Sequence, residues 1–319
     1  MSTPEAADQP AVEPKPRRGA IRRVPSESPL VDVLDGDARR EVRIHEHGFI
    51  ALVDVMPRLV PEGQTADAAI VQAARVSYGA GTKKVSEDAA LIRYLLRHRH
   101  TTPFEMVELK FHVAMPVFVA RQWIRHRTAN VNEYSARYSV VPDRFYRPAP
   151  DAVRKQSASN RQGGEEAFDR TDPEEAKSAD AYLAYLNTVE AQYKVYESLL
   201  EQGVSRELAR AGLPVNVYTE WYWKCDLHNT LRFLSLRLDS HAQQEIRDYA
   251  QAMHDLIAEL CPVTMQAWRD YEFEAVHLTR LEVEAIRRLA RDPETPSVVD
   301  TPNKREQAEW EAKRAMLGL

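Results

Sequence analysis

Apolar and polar side chains alternate along the segment VELKFHVAM, residues 107–115. A period of two predicts a β-strand with one buried face, and the alternation puts five side chains on that face: Val107, Leu109, Phe111, Val113 and Met115. Pro116 follows directly, and proline suits the first turn of a helix. The segment PVFVARQWIRHR, residues 116–127, is therefore predicted to be a helix that begins where the strand ends.

The strand period of two residues and the helix period of three to four residues predict the remaining elements. Strands are expected in GFIALVDVM, residues 48–56, and in VNVYTEWYWKC, residues 215–225, which is rich in Val, Thr, Tyr and Trp. Helices are expected over 86–100 and 182–200, the second ended near Gly203.

The last part of the predicted body is helical. A buried helix is expected over 227–238, and a long helix follows up to residue 260, capped by Asp239 or Ser240. Strands mixed with long helices indicate the α+β class.

Composition divides the chain into a folded body and polar segments. Residues 1–40 are rich in Pro, Ser, Arg and acids, so a disordered N-terminal arm is expected. Residues 41–290 are expected to form a single catalytic domain, interrupted by a flexible insertion at about 154–180. Residues 291–319 are expected to be a polar tail with a weak helical tendency.

Charge and cysteine content limit the class of function. The chain carries 43 Lys and Arg against 48 Asp and Glu, a net charge of −5, so general nucleic-acid or membrane binding has no support from bulk charge. Its two cysteines exclude a disulfide framework and fit a reducing compartment. We see no long apolar run and no signal peptide, so a cytoplasmic protein is expected.

Positive charge is concentrated in RHRTANVNEYSARY, residues 125–138, where Glu133 is the one acid. Arg121 and Arg125 lie four apart on the predicted helix, and like charges at that spacing destabilise it by a few tenths of a kcal/mol. A solvated helix face is one interpretation. A bound anion is the other, because a guanidinium group matches a phosphate in two places.

The second half of that stretch has a polar edge. If it is extended, Glu133, Ser135 and Arg137 fall on one side of the chain. Glu133 would then supply an acceptor, Ser135 a small donor and Arg137 a cation along one edge. Such an edge suits a polar planar ligand with a charged tail, such as a nucleotide. A hydrogen-bonded turn is the alternative.

Two further segments concentrate His and Arg. In RHRHTTPFE, residues 97–105, a helix start could bind a phosphate, or His98 and His100 could bind a metal, although no third ligand or Cys lies nearby. In DLHNTLRFLSLRLDSHAQ, residues 226–243, Arg232 and Arg237 interrupt an apolar helix. They either extend to a surface or line a polar cavity.

Motifs for other chemistries are missing from the sequence. It contains no G-x-S-x-G elbow, no G-x-G-x-x-G fingerprint and no P-loop. Ser135 has no evident His–Asp pair to activate it, and Cys225 and Cys261 have no activating neighbours in the sequence. A nucleotide or flavin would then be held by Arg, His and Asn side chains.

Residues 125–138 resemble the signature of the flavin-dependent thymidylate synthases, R-H-R-x-x-S-x-N-E-x-S-x-R-Y. The matching residues are Arg125, His126, Arg127, Asn132, Glu133, Ser135, Arg137 and Tyr138. Asn130 stands where the signature has Ser. The resemblance extends through ARVSYG, RHRHTTPFE and FVARQWIRHR upstream, and through LARAGLPVNVYTEWYW, DLHN and LRLDSHAQ downstream, which is most of the predicted body.

This resemblance implies a reaction and an assembly. The reaction methylates dUMP at C5 to give dTMP, with 5,10-methylenetetrahydrofolate as carbon donor, reduced FAD as hydride donor and NADPH as reductant of the flavin. The implied fold is a central mixed α/β domain with flanking long helices. The implied assembly is a homotetramer with sites at subunit interfaces, without nucleic-acid or membrane partners.

The resemblance also implies site residues by position. Arg237 is the expected catalytic residue, because it matches the arginine that favours ionisation of the uracil N3. FAD contacts are expected from Ser77, His100, Thr102, Arg125, His126, Arg127, Glu133, Asp226, Leu227, His228 and Arg232. dUMP contacts are expected from Gln122, Trp123, Ile124, Arg125, Glu133, Tyr134, Ser135, Ala136, Arg137, Arg210 and Arg237. No metal ligands are expected.

Two other functions compete with this one. An RNA- or nucleotide-binding module could use the arginine-rich stretch without catalysis. A zinc hydrolase could use His98 and His100 with further ligands.

Overall fold

The computed structural model describes residues 24–25, 28–36, 39–77, 88–158, 163–292, 294 and 298–319. Its strands are β1 Leu30–Asp32, β2 Arg40–Ile44, β3 Gly48–Met56, β4 Leu59–Pro61, β5 Glu108–Pro116, β6 Asn130–Glu133, β7 Arg154–Gln156, β8 Gly164–Ala167 and β9 Tyr218–Asp226. Its helices are α1 Asp67–Val76, α2 Asp88–Arg97, α3 Val117–Trp123, α4 Pro173–Glu190, α5 Gln192–Glu201, α6 Arg206–Ala209, α7 Leu227–Arg237, α8 Gln244–Leu260, α9 Pro262–Trp268, α10 Arg280–Arg291 and α11 Lys304–Leu317. This mixture of sheets and helices confirms the expected class.

A five-stranded antiparallel sheet in the order β2-β3-β5-β9-β6 forms the centre. The predicted alternation along β5 is confirmed, since Leu109, Phe111 and Val113 are fully buried while Lys110 is exposed. Helices α3, α7 and α8 pack against one face of this sheet. The central strand therefore carries the main core on the face that the helices cover.

Helix α8 approaches the sheet closely at one point. The Tyr249 hydroxyl donates a hydrogen bond of 2.8 Å to the carbonyl oxygen of Ala114. Gly48 lies beside it, and a Cβ atom there would collide with the Tyr249 hydroxyl. Only glycine leaves room for this contact between helix and sheet.

Some predicted boundaries are wrong. The helix expected over 116–127 ends at Trp123, because the chain then turns so that β6 can pair with β9. The long helix begins at Gln244 instead of after Asp239, because the Asp239 carboxylate accepts a hydrogen bond from the nearby backbone N–H of His241. The strand expected from residue 215 begins at Tyr218.

The helix expected over 182–200 is longer and divided. It consists of α4 and α5, which meet at Ala191. Ala191 keeps near-helical dihedral angles, so the interruption is a local tightening of the helix. The predicted end near Gly203 is confirmed, since that residue has φ +84° just after α5.

The polar segments contain regular structure. Most of the predicted arm, residues 1–23, 26–27 and 37–38, lies outside the described residues, but β1 pairs with β4. The segment 154–180, expected to be a flexible insertion, contains the β7–β8 hairpin and the first turns of α4. The C-terminal segment forms α11, whose Trp310 is fully buried. The helical tendency expected there is confirmed.

Candidate functional site

Helix α7 organises the candidate site. The Asp226 side chain caps its first turn by accepting a hydrogen bond of 2.8 Å from the backbone N–H of Asn229. The Thr128 hydroxyl donates to the Asn229 side chain at 2.8 Å and so ties the 125–129 turn to the same helix. Both arginine-rich segments of the sequence therefore meet at α7.

Arg237, at the end of α7, is held by two acceptors near the end of α3. Its Nε donates to His126 Nε2 at 3.0 Å, and an Nη donates to the backbone oxygen of Gln122 at 3.1 Å. We call Gln122, His126 and Arg237 the Arg237 centre. Burial lowers the pKa of Arg237, and no carboxylate of the described chain offsets this effect. A half-buried cation without an acidic partner is suited to an anionic ligand.

His126 is neutral at this position. Burial lowers its pKa to about 4, and the charges of Arg237 and Arg232 act in the same direction. Because Nε2 accepts the hydrogen bond from Arg237, the neutral ring carries its proton on Nδ1. Phe233 packs edge-on against the ring at 4.9 Å between centroids and fixes its orientation.

A cavity of about 450 Å³ lies beside α7 and the end of α2. Its apolar side includes Phe104 and Trp268, and its polar side includes His100, His228 and Arg232. His100 belongs to the segment 97–105, and His228 and Arg232 belong to the segment 226–243, so the cavity brings together two motifs that are far apart in sequence. We call this space the α7 cavity.

A second cavity of about 810 Å³ is lined by the β7–β8 hairpin, α4 and the α7–α8 connection, including His241. Gln243, also on its wall, accepts a hydrogen bond from the Gln122 side chain. The larger cavity therefore adjoins the Arg237 centre through Gln122.

The run from Glu133 to Arg137 lies elsewhere. Strand β6 pairs Asn130 with Lys224 and Glu133 with Trp221, which carries the chain roughly 10 Å along β9 away from the start of α7. Of the two alternatives for this run, the extended chain holds only as far as Glu133, and residues 136–138 form a turn.

Residues of this run have partners of their own. The Glu133 carboxylate accepts from the Thr219 hydroxyl at 2.7 Å, and Arg137 forms an ion pair of 3.0 Å with Glu207. Arg210 lies half-buried in the short 3-10 turn that follows α6. A single chain thus gathers Arg137 and Arg210 near α6, and among the described contacts no hydrogen bond or ion pair links them to the Arg237 centre.

Several expected contact residues can offer only their backbone to a ligand. Trp123 is fully buried, with its ring 5.8 Å from that of Trp223 and 4.7 Å from that of Phe233. Leu227 is fully buried as well. In contrast, Ile124 is exposed at the end of α3, and Ala136 is half-buried.

The remaining expected residues lie at the surface. Exposed positions are occupied by Ser77, Thr102, Arg125, Arg127 and Tyr134. Ser77 ends helix α1. Thr102 begins the 3-10 turn Thr102–Met106, whose N-cap residue Thr101 makes no side-chain capping bond. The Tyr134 hydroxyl donates to the Val140 backbone oxygen at 2.6 Å.

Candidate nucleophiles are not activated. Burial raises the pKa of the Cys225 thiol to about 12, and it raises the pKa of the fully buried Cys261 as well. The Ser135 hydroxyl accepts from the backbone N–H of Arg137 at 3.3 Å, which orders a turn and does not remove a proton. The site is therefore built from cations and hydrogen-bond donors, without a strong base beside a nucleophile.

The described residues contain neither a metal-binding cluster nor a membrane-spanning helix. Across the described ranges, no group of three or more His, Cys, Asp or Glu side chains is arranged to hold a metal ion. His98 and His100 both pack on the Tyr94 ring, at 4.4 and 6.0 Å between centroids. No helix in the described part of the chain is long and apolar enough to span a bilayer.

The sequence did not indicate some residues of the α7 cavity. Arg99, Thr101 and Glu272 line it. Arg99 and Thr101 are adjacent to predicted residues, so their place in the RHRHTTPFE segment was the available signal. Glu272 lies in the π-helical turn Arg269–Phe273 and carries no motif that would have marked it.

The α7 cavity suits a flavin nucleotide by the chemistry of its walls. An apolar side with two aromatic rings can pack against a planar ring system, and cationic and imidazole groups can meet phosphates. Its position next to the Arg237 centre would put such a group beside an anionic substrate.

Comparison with known families agrees with this arrangement. The family model Thy1, described as thymidylate synthase complementing protein, matches residues 58–263. A flavin-dependent thymidylate synthase of Dictyostelium discoideum is 62% identical over 297 residues, which are 93% of this chain and 94% of that protein. One from Wolbachia pipientis wMel is 50% identical, over 88% and 94% of the two chains.

A similar solved structure is the UMP/dUMP methylase PolB of Streptomyces cacaoi bound with 5-Br dUMP. It aligns with a TM-score of 0.60 and 31% identity, over 72% of this chain and 98% of that one.

Proposed function

This chain belongs to the thymidylate synthase complementing protein family, the flavin-dependent thymidylate synthases, and from that premise we propose how its residues carry out the reaction. The enzyme converts dUMP to dTMP by reductive methylation at C5, with 5,10-methylenetetrahydrofolate as carbon donor and NADPH as reductant. FAD, when bound, supplies the hydride.

The half-buried Arg237 is the observation on which the proposal rests. Methylation requires C5 of uracil to act as a nucleophile, which is easier when the ring carries negative charge from loss of the N3 proton. A fixed guanidinium beside the ring stabilises that anion, and the low-polarity surroundings strengthen the attraction. Arg237 is held by the Gln122 backbone and His126, so its remaining N–H groups are free for the ligand.

Neutral His126 supports this role. An imidazolium next to Arg237 would repel it, whereas the neutral ring accepts its Nε–H. The hydrogen bond orients the guanidinium plane, and the positive charge stays on Arg237.

The thiols of Cys225 and Cys261 and the hydroxyl of Ser135 are consistent with a mechanism that uses no enzyme nucleophile. Both cysteines are buried with raised pKa values, and Ser135 has no base beside it in the described chain. Activation of dUMP then depends on charge and position alone.

The flavin is assigned to the α7 cavity and its surroundings. His100, His228 and Arg232 line that cavity. The other proposed flavin contacts are Ser77, Thr102, Arg125, His126, Arg127, Glu133, Asp226 and Leu227. Arg125 and Glu133 are assigned to both ligands, because the family signature puts them between flavin and dUMP.

The remaining dUMP contacts are assigned to Gln122 and to the group near α6. Ser135, Arg137 and Arg210 suit a phosphate, yet within the described chain no hydrogen bond or ion pair joins them to the Arg237 centre. We therefore propose a homotetramer in which the 133–137 run of one subunit completes the site at Arg237 of another. The sheet face that no described helix covers, where Tyr222 is 42% exposed and stacks on His112 at 4.5 Å, offers a surface for a second copy. We call it the uncovered sheet face.

A cytoplasmic location is part of the proposal. Two buried cysteines without a disulfide are consistent with a reducing compartment.

The deciding experiment is an absorption spectrum of the purified protein before and after NADPH with dUMP. We expect a yellow protein whose flavin bands bleach, with NADPH oxidation dependent on dUMP. A colourless protein that takes up no added FAD would refute the assignment. Strongly salt-dependent RNA binding in such a protein would favour the nucleic-acid alternative instead.

A further inference from the structure

Arg99 has an unusual backbone conformation at the edge of the α7 cavity. Its φ is 59°, in the left-handed region that glycine adopts freely and other residues adopt at a cost. The backbone N–H of Arg99 bonds to the Leu96 oxygen and that of His100 to the Leu95 oxygen, the pattern that ends a helix at a left-handed residue. An arginine is thus held where a glycine would be more stable.

The guanidinium of Arg99 is weakly engaged. Its side chain is 73% exposed, and its acidic partner Glu272 lies 3.9 Å away, beyond hydrogen-bond distance. The Glu272 carboxylate has a second neighbour, His277, with 3.8 Å between Glu272 Oε2 and His277 Nε2. A cation fixed at a strained position, with its donors uncommitted, has capacity to bind a further anion.

Glu272 is itself held against α2. The π-helical turn that carries it is anchored by an ion pair of 2.7 Å between Arg93 and Asp270, and the Arg93 guanidinium lies 4.7 Å from the centre of the Tyr271 ring. Turns of this kind are frequent at functional sites. The anchor therefore keeps the turn that carries Glu272 close to the end of α2, where Arg99 lies.

We propose that Arg99 binds the pyrophosphate of FAD at the mouth of the α7 cavity, and that Glu272 is a competing internal anion for Arg99. The inference rests on the proposed function. Arg99 and Arg232 both line the cavity, so an anionic group there would meet two guanidinium groups. Glu272 holds Arg99 when no phosphate is present and repels a phosphate that approaches.

The two residues should then change FAD affinity in opposite directions. Arg99→Gly removes the guanidinium and suits the left-handed backbone, so the fold is kept. We expect the Kd for FAD of the apoprotein, measured by flavin fluorescence quenching, to rise about tenfold at low salt. Glu272→Gln should lower the Kd severalfold, and Arg99→Lys should give an intermediate value because a lysine cannot bind in two places.

Two matched variants control for indirect effects. Arg97→Gln removes an equal charge from α2 at an exposed residue that is not among those lining the cavity, and Asp35→Gly puts glycine at another left-handed position, with φ 52°. Both should bind FAD as the wild type does.

The outcomes distinguish failure of the proposed function from failure of the inference about Arg99. A wild type that binds no FAD would overturn both the proposed function and this inference. A wild type that binds FAD, with Arg99→Gly unchanged or Arg97→Gln equally weakened, would overturn the inference alone. An unchanged Kd in Glu272→Gln would contradict the competing role of that carboxylate.

Discussion

At the scale of single residues, Arg237 and Arg127 should separate substrate from cofactor. Arg237→Ala should lower kcat by about 10²–10³-fold, because it removes the fixed charge beside the uracil ring, while FAD content is retained. Arg127→Ala is the matched variant and should lose FAD but keep dUMP affinity. The measurements are kcat from steady-state kinetics, the flavin content of each purified variant, and its dUMP affinity by titration. Loss of FAD with retained dUMP affinity in Arg237→Ala would contradict the role assigned to it.

His126 should make stability depend on pH in a defined window. Its pKa is about 4 in the folded chain and about 6.5 when unfolded, so between these values the unfolded chain binds a proton that the folded chain does not. The neutral ring therefore contributes fully above about pH 6.5, and stability is lost as pH falls towards 4.

The control for this pH dependence is His126→Gln, whose side-chain oxygen can still accept a hydrogen bond from Arg237 but which does not titrate. Denaturant unfolding at pH 7 and pH 5 should show a larger loss of unfolding free energy in the wild type than in this variant. An equal loss in both proteins, or an imidazole that titrates near 6.5 by NMR, would show that the pKa is not lowered.

At the scale of elements, α7 links both ligand sites, so its N-cap should affect both. Asp226→Ala removes the capping acceptor and should cost about 0.5–2 kcal/mol of unfolding free energy. FAD and dUMP affinity should fall together, because Arg232 and Arg237 lie on the same helix.

Asp226→Asn separates capping from ligand contact. Asparagine caps a helix as well as aspartate does, so stability should be retained. Weaker FAD binding in this variant would support a direct contact of the carboxylate with flavin. A wild-type melting curve for Asp226→Ala would show that the cap does not stabilise α7.

At the scale of the whole molecule, the uncovered sheet face should be an interface. The wild type should have a mass four times the 36.4 kDa of one chain when measured by light scattering. Tyr222→Glu puts a charge on the sheet face and should reduce both the mass and the dUMP-dependent activity, because the site would lose its second subunit. Lys177→Glu, on the exposed side of α4, should change neither. A dissociated Tyr222→Glu protein that retains full activity would refute a shared site.

Local features of the fold were predictable where neighbours in the chain decide them. The alternation from Leu109 to Met115 predicted β5, and the apolar period of α7 predicted a buried helix. Boundaries that depend on distant partners were not predictable. The end of α3 at Trp123, for example, depends on the pairing of β6 with β9. The start of α8 differs for a local reason, because the Asp239 carboxylate orders a turn with His241 instead of capping the helix.

The sequence by itself determined the types of side chain in the site, because motifs and periods are properties of residues close together in the chain. It marked His126, Arg232 and Arg237, and the resemblance to a family assigned them ligands. Only the tertiary structure decided which of these groups meet. His126 and Arg237 are 111 positions apart, and they touch because α3 and α7 bury their apolar sides against the same sheet. Tertiary packing also buries Trp123, brings Glu272 within 3.9 Å of Arg99 and pairs Arg137 with Glu207, and none of these contacts is encoded in a local pattern.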